Sequence, residues 1–200
     1  MGDNRVIGTH LKKFFIAYIL SAVVITFIVG WAVDLKTRPD KDQRIGVFIG
    51  AESFDESKLN DIFTAVRPNY IKTVDLNFYL NTDAYFDMYL TIKGADSDIF
   101  ILSEEKFSNA NISVFLPIDT IVAQSLFGKR DLLYDGDVCY GIKIYDKDLK
   151  EGPLSDVIGF SLGETDRNYY ILFNKMSRHA RELNGSLYNG AVDMIKELLG

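Results

Sequence analysis

Cysteine is almost absent from this chain. Of 200 residues a single one, Cys139, is a cysteine, which excludes an internal disulfide framework and a cysteine-rich zinc site. It stands in an alternating apolar stretch, a pattern that predicts a small core residue. Histidine is nearly as scarce. His10 and His179 lie far apart, and neither has metal-ligand or triad spacing to other side chains. Basic residues are in the minority, 22 Lys and Arg against 28 Asp and Glu, a formal net charge of −6. That balance argues against nucleic acid as a partner, because phosphate binding needs clustered Lys and Arg. Neither a nucleophile-elbow pattern nor a phosphate-loop glycine pattern occurs, and there is no internal repeat or low-complexity tract. These absences leave no cofactor, metal site or enzymatic activity to expect.

What is present begins with one long apolar run. Phe14 to Val33, "FFIAYILSAVVITFIVGWAV", contains no charged residue. As a helix rising about 1.5 Å per residue it spans roughly 30 Å, the hydrocarbon thickness of a bilayer. Tyr18 and Trp31 lie near its ends, where amphipathic rings favour the interface. The run exceeds the roughly 7–15 apolar residues of a signal peptide. An uncleaved signal anchor therefore fits better than a cleaved leader, although Gly30-Trp31-Ala32 resembles a poor cleavage site. No cysteine follows the run, which excludes a lipoprotein anchor. Arg5, Lys12 and Lys13 precede it; Lys36, Arg38, Lys41 and Arg44 follow, mixed with Asp34, Asp40 and Asp42. The basic count alone does not orient the helix. The short N-terminal tail makes residues 1–13 cytoplasmic by default, residues 14–33 a single-pass anchor, 34–44 a polar linker broken by Pro39, and 45–200 an extracytoplasmic domain.

That domain alternates strand and helix. "RIGVFIG" is a buried strand by its β-branched and aromatic run. In the next segment Ser53 and Glu56 fit a capping box, and Leu59, Ile62, Phe63 and Val66 share a helical face that Pro68 ends. "IKTVDLNFYL" alternates as a half-buried strand. A helix then begins at an Asn81 or Thr82 cap, carries Tyr85, Met88, Tyr89 and Ile92 at helical spacing, and ends at Gly94. "DIFILS" is a third strand. The βαβ pattern predicts an α/β fold with a mostly parallel sheet flanked by helices. Further on, the patterns predict a short extended piece at "NISVFLPID" and a helix closed by Gly128. Strands follow at "DVCYGIKIYD", "DVIGFSL" and "NYYILFN", and closing helices at "KMSRHAREL" and "LYNGAVDMIKELL".

The order of "IGVFIGAESFDESKLNDIF", "ADSDIFILSEEKF", "SVFLPID" and "YGIKIYD", with a closing "YYILFNKMSRHARELNGSLYNGAVDMIKELL", resembles one family. These are the extracellular solute-binding proteins of ABC importers, with the type 2 periplasmic-binding-protein fold, and the likeness covers most of Ile45 to Leu199. In that family two lobes close on a ligand. Here only "KDLKEGPLSD" stands where a second lobe would be. The resemblance therefore implies a single tethered lobe with half its cleft walls missing, and weak or absent capture of small solutes by the monomer.

Ligands of open parallel sheets bind beyond the carboxyl ends of the strands. The candidate binding residues are accordingly Ser53, Phe54, Asp55, Tyr79, Asn81, Ser103 and Glu104. The simpler alternative is that Ser103 caps a helix whose first turn holds Glu104 and Glu105. Those two neighbours do not oppose each other as glycosidase carboxylates do. Asp131, Asp135 and Asp137 in "RDLLYDGDVCY" are too few and too spread for a calcium loop, and the segment reads instead as an exposed turn. The expected function is a membrane-anchored binding module whose partner is a protein such as an ABC permease, a homodimer mate, or a ligand shared between two copies. The alternative is a structural or assembly protein of the envelope with a vestigial ligand edge.

Overall fold

The computed structural model describes residues 3–37, 39–158 and 167–200, with side chains described from Phe14 onward except at positions 34, 35 and 37. The chain divides into two compact units, residues 1–39 and 40–200. The first is a single helix, α1 (Asp3–Thr37). Its stretch Phe14–Val33, with a mean hydropathy of 2.4, is long and apolar enough to cross a membrane. Its two aliphatic hydroxyls stay compatible with hydrocarbon: Ser21 and Thr26 each donate to the carbonyl four residues back, Ala17 and Ala22, at 2.8 Å.

The second unit is α/β. Six strands form one sheet: β1 (Arg44–Ala51), β2 (Thr73–Leu80), β3 (Ile99–Ser103), β4 (Leu132–Asp135), β5 (Val138–Tyr145) and β6 (Tyr169–Phe173), in the order β2-β1-β3-β6-β5-β4. The sheet is mixed rather than mostly parallel. β1 pairs in parallel with β2 and β3, whereas β3–β6, β6–β5 and β5–β4 are antiparallel. Only the β4–β5 pairing has a local cause. β4 and β5 are joined by Gly136 and Asp137 alone, with Gly136 in the left-handed region (φ 57°), and a two-residue turn can join only antiparallel neighbours. β4 lay in the stretch expected to be an exposed turn.

Alternation along the strands feeds two cores. On one face Ile45, Val47, Ile49 and Ala51 of β1 meet α2 (Glu56–Ala65), α5 (Thr120–Phe127) and α7 (Gly190–Leu199) through Leu59, Phe63, Phe127, Val192 and Ile195. On the other, Phe48 and Phe100 meet Phe86 and Leu90 of α3 (Phe86–Gly94) and Phe107 of α4 (Glu104–Asn109). Gly50 makes room for that second layer, because a Cβ there would lie 2.5 Å from the Phe86 ring. Cys139 is a buried core residue, as expected.

Several expectations differ from the structure. α2 is capped by Asp55, whose carboxylate accepts from the Lys58 N–H at 3.1 Å, and not by Ser53. α3 starts at Phe86 and turns Phe86 and Leu90 inward, leaving Tyr85, Met88 and Ile92 about half exposed or more (62%, 47% and 58%). "KMSRHAREL" contributes one helical turn, α6 (Arg181–Asn184). Of the expected strand at 156–162, residues 159–162 lie outside the described residues; Ile158 ends a turn and bridges to Phe54.

Tyr70 ties the segment before β2 to α7 through its hydroxyl, 3.2 Å from an Asp193 carboxylate oxygen. Desolvation, reinforced by that carboxylate, pushes the phenol from its ordinary 10.0 to about 12. The folded protein thus holds a proton that the unfolded chain releases first. Folding stability is expected to fall as pH rises from about 10 to about 12, muted because the side chain is part-exposed. Urea midpoints across that window should drop less steeply for Tyr70→Phe than for wild type; parallel curves would remove Tyr70 from the account.

Candidate functional site

Strand order reverses around β1. β2 lies on one side of it and β3 on the other, and the connecting helices α2 and α3 cover opposite faces. A crevice is expected outside the carboxyl ends of β1 and β3 at such a switch point. Here an arginine from the chain itself bridges it. Arg167, just before β6, places Nε 3.2 Å from Glu52 Oε1 after β1, and a terminal guanidinium nitrogen 2.9 Å from Glu105 Oε2 after β3. Below this bridge the Tyr169 hydroxyl, fully buried, accepts from the Glu52 N–H at 3.3 Å and from Asn81 Nδ2 at 3.4 Å. One phenol from β6 therefore links the ends of β1 and β2. Asn81 is only 4% exposed, and its Oδ1 finds no hydrogen-bond partner among the described residues.

The predicted residues separate on this frame. Ser103 is buried opposite Tyr169 in the β3–β6 register and caps α4, its hydroxyl accepting from the Lys106 N–H at 3.4 Å. Glu104 is exposed in the first helical turn, and its N–H donates to the Asn168 carbonyl at 3.2 Å. Asn81, Ser103 and Glu104 thus gather around Tyr169 and Arg167. Ser53 lies in the β1–α2 connection. Phe54 stacks on Phe78 with centroids 5.1 Å apart, and Asp55 serves its helix. Tyr79 turns to the opposite face, stacked 4.8 Å from both Phe48 and Tyr89, where burial raises its phenol pKa. Sequence reasoning missed Arg167 and Tyr169. Tyr169 sits in an apolar run and reads as core; Arg167 sits in an irregular charged stretch, and no local pattern marks either.

A second polar cluster lies at the other pole, beside the start of β1 and the turn before β3. It lines a cavity of about 110 Å³. Asp98 is the hub: Oδ2 accepts from the Gly46 N–H at 3.0 Å and Oδ1 from the Ser177 hydroxyl at 2.7 Å. His179 is near but forms no serine–histidine pair. Its backbone N–H donates to Ser177 Oγ at 3.0 Å, while ring Nε2 lies 3.1 Å from the Lys41 carbonyl oxygen. Nδ1 faces Gly190 and has no partner among the described residues. The ring therefore cannot take the Ser177 proton in this arrangement.

Elsewhere, burial would lower the pKa of Lys143, but hydrogen bonds to Asp131 (2.8 Å) and Asp146 (2.9 Å) outweigh it and raise the ammonium well above its usual range. Burial pushes the Cys139 thiol up, which keeps it protonated and unreactive. Among the described residues no group of three or more His, Cys, Asp or Glu side chains could hold a metal ion.

No protein-family model matches this chain, and no curated protein matches it.

Proposed function

We propose that this chain is a membrane-anchored, extracytoplasmic, non-catalytic binding module, built like one lobe of a solute-binding protein, that recognises a protein partner through its strand-end edge. The observation that carries the reading is Arg167. A guanidinium held by Glu52 and Glu105 fills the place where an open α/β sheet would take a small solute. A macromolecule can still engage the edge from outside, through the exposed carboxylate of Glu104 and the rim of the Arg167 bridge. The resemblance to solute-binding proteins suggests an ABC permease as that partner.

Arg167 and its partners are all partly solvated, so the pairs contribute about 0–1 kcal/mol to stability. Replacing Arg167 by glutamate should therefore leave the fold standing while reversing the charge of the edge. A photo-crosslinker placed at Glu104 in the full-length protein in membranes is expected to give a discrete adduct that the same probe at Glu197, on the exposed side of α7, does not give. Arg167→Glu should abolish that adduct. Adducts from Glu197 alone, or an unchanged Glu104 adduct in the variant, would favour an assembly role through the closing helices instead.

A further inference from the structure

We infer that the cavity at the amino-terminal ends of β1 and β3 is a binding site for a small zwitterion, a molecule with an ammonium and an acidic group a few bonds apart. The site lies at the opposite pole from the strand-end edge and does not rest on the reading of that edge. Its volume of about 110 Å³ equals about four waters at liquid density, the scale of a small amino acid or a phospholipid head group. Its floor is built rather than incidental, with Ser177 5% exposed and Asp98 fixed by the Gly46 N–H and the Ser177 hydroxyl.

The charges decide the ligand class. Asp98 is partly buried, yet no cationic side chain among the described residues pairs with it. Its two hydrogen bonds leave carboxylate lone pairs unused, and a carboxylate can accept about four. The wall of the cavity carries the opposite sign: Lys41, Arg44 and Arg178, with Asp96 beside them. Arg44 already pairs with Asp75 at 3.3 Å and Arg178 with Asp42 at 3.4 Å, while the Lys41 ammonium has no ion-pair partner among the described residues. A simple anion would be drawn to the wall but held against the Asp98 carboxylate. A simple cation would be drawn to Asp98 but would leave the Lys41 ammonium of the same lining without a counter-charge. A molecule that presents its ammonium to Asp98 and Ser177 Oγ and its acidic group to Lys41, Arg44 and Arg178 meets both.

The test uses the full-length protein in nanodiscs of phosphatidylcholine, titrated calorimetrically with L-alanine, phosphoethanolamine, methylammonium and acetate. At least one zwitterion is expected to bind about tenfold or more tightly than either half-ligand. Asp98→Asn should weaken that binding about tenfold or more, and Lys41→Gln about threefold. Lys41 is an exposed side chain, so that variant keeps the test decisive if Asp98→Asn fails to fold. Tighter binding of L-alanine would mark a free amino acid as the source, and tighter binding of phosphoethanolamine a lipid head group; both support the shared chemistry. The inference falls if neither zwitterion binds, if neither variant weakens binding, or if acetate binds as well as L-alanine and Asp98→Asn improves it.

Discussion

Arginine in place of both Val23 and Val24 is expected to release the protein from membranes into the soluble fraction. The two valines lie at the middle of the Phe14–Val33 stretch, and their side chains are about half exposed. An arginine at the centre of a spanning helix costs about 2.5–3.5 kcal/mol on insertion scales. Two together cost about 5–7 kcal/mol, a shift of about four to five orders of magnitude in partitioning. Alkaline extraction of membranes followed by immunoblotting reads the outcome. The wild type should stay in the pellet at its full mass of 22.6 kDa. A double-arginine chain that pellets just as firmly would contradict the anchor, and a shortened wild-type chain would make the segment a cleaved leader.

Phe48→Ala should cost about 3–5 kcal/mol of folding stability. Phe48 is fully buried in the centre of β1 and is the hub of an aromatic group: Tyr79 stacks on it at 4.8 Å, Phe86 meets it edge-on at 5.8 Å, and Phe100 tilts against it at 6.1 Å. Truncation opens a cavity between β1, β2, β3 and α3 that these rings cannot all close. Small domains hold about 5–15 kcal/mol in total, so the loss is a large share. Met88→Ala is the matched control. That side chain is 47% exposed on α3, and its removal should change stability by about 0.5 kcal/mol or less. Denaturant unfolding followed by circular dichroism compares the two. Similar losses for both would show that α3 packs by the face that its sequence spacing suggested, and not by Phe86 and Leu90.

That comparison marks where sequence reading succeeds and where it stops. β1 and β3 were legible because strands buried on both faces are apolar at every position, as Ile45–Ala51 and Ile99–Leu102 are. α2 was legible because a single stripe, Leu59 and Phe63 with Ile62 and Val66, meets the core. α3 misled because it carries apolar side chains on two faces. Tyr85, Met88, Tyr89 and Ile92 have helical spacing, yet so do Phe86, Leu90 and Gly94, and periodicity cannot rank two competing faces. Gly94 breaks the tie, since a Cβ there would lie 2.8 Å from the Phe100 ring. That close approach exists only once β3 is in place.

The candidate site divides in the same way. Ser103 was identifiable as a helix cap from its place at the end of an apolar strand, whereas the cap of α2 was expected at Ser53 and is held by Asp55 two residues on. Tyr169 reaches Asn81 across 88 residues, Arg167 reaches Glu52 across the sheet, and Asp98 reaches Ser177 across 79 residues. Local pattern carries no trace of such partners.

The amino-acid sequence by itself determined the N-terminal apolar helix, the α/β class and most strand and helix positions, because each depends on hydrophobic period and caps that act over a few neighbouring residues. Tertiary structure alone decided that the sheet turns antiparallel after β3, that Arg167 bridges Glu52 and Glu105 at the strand ends, and that Asp98 lines a cavity with no ion-pair partner among the described residues. Each of these requires strands far apart in the chain to be placed side by side, and burial there sets which charges meet and which are left without a partner.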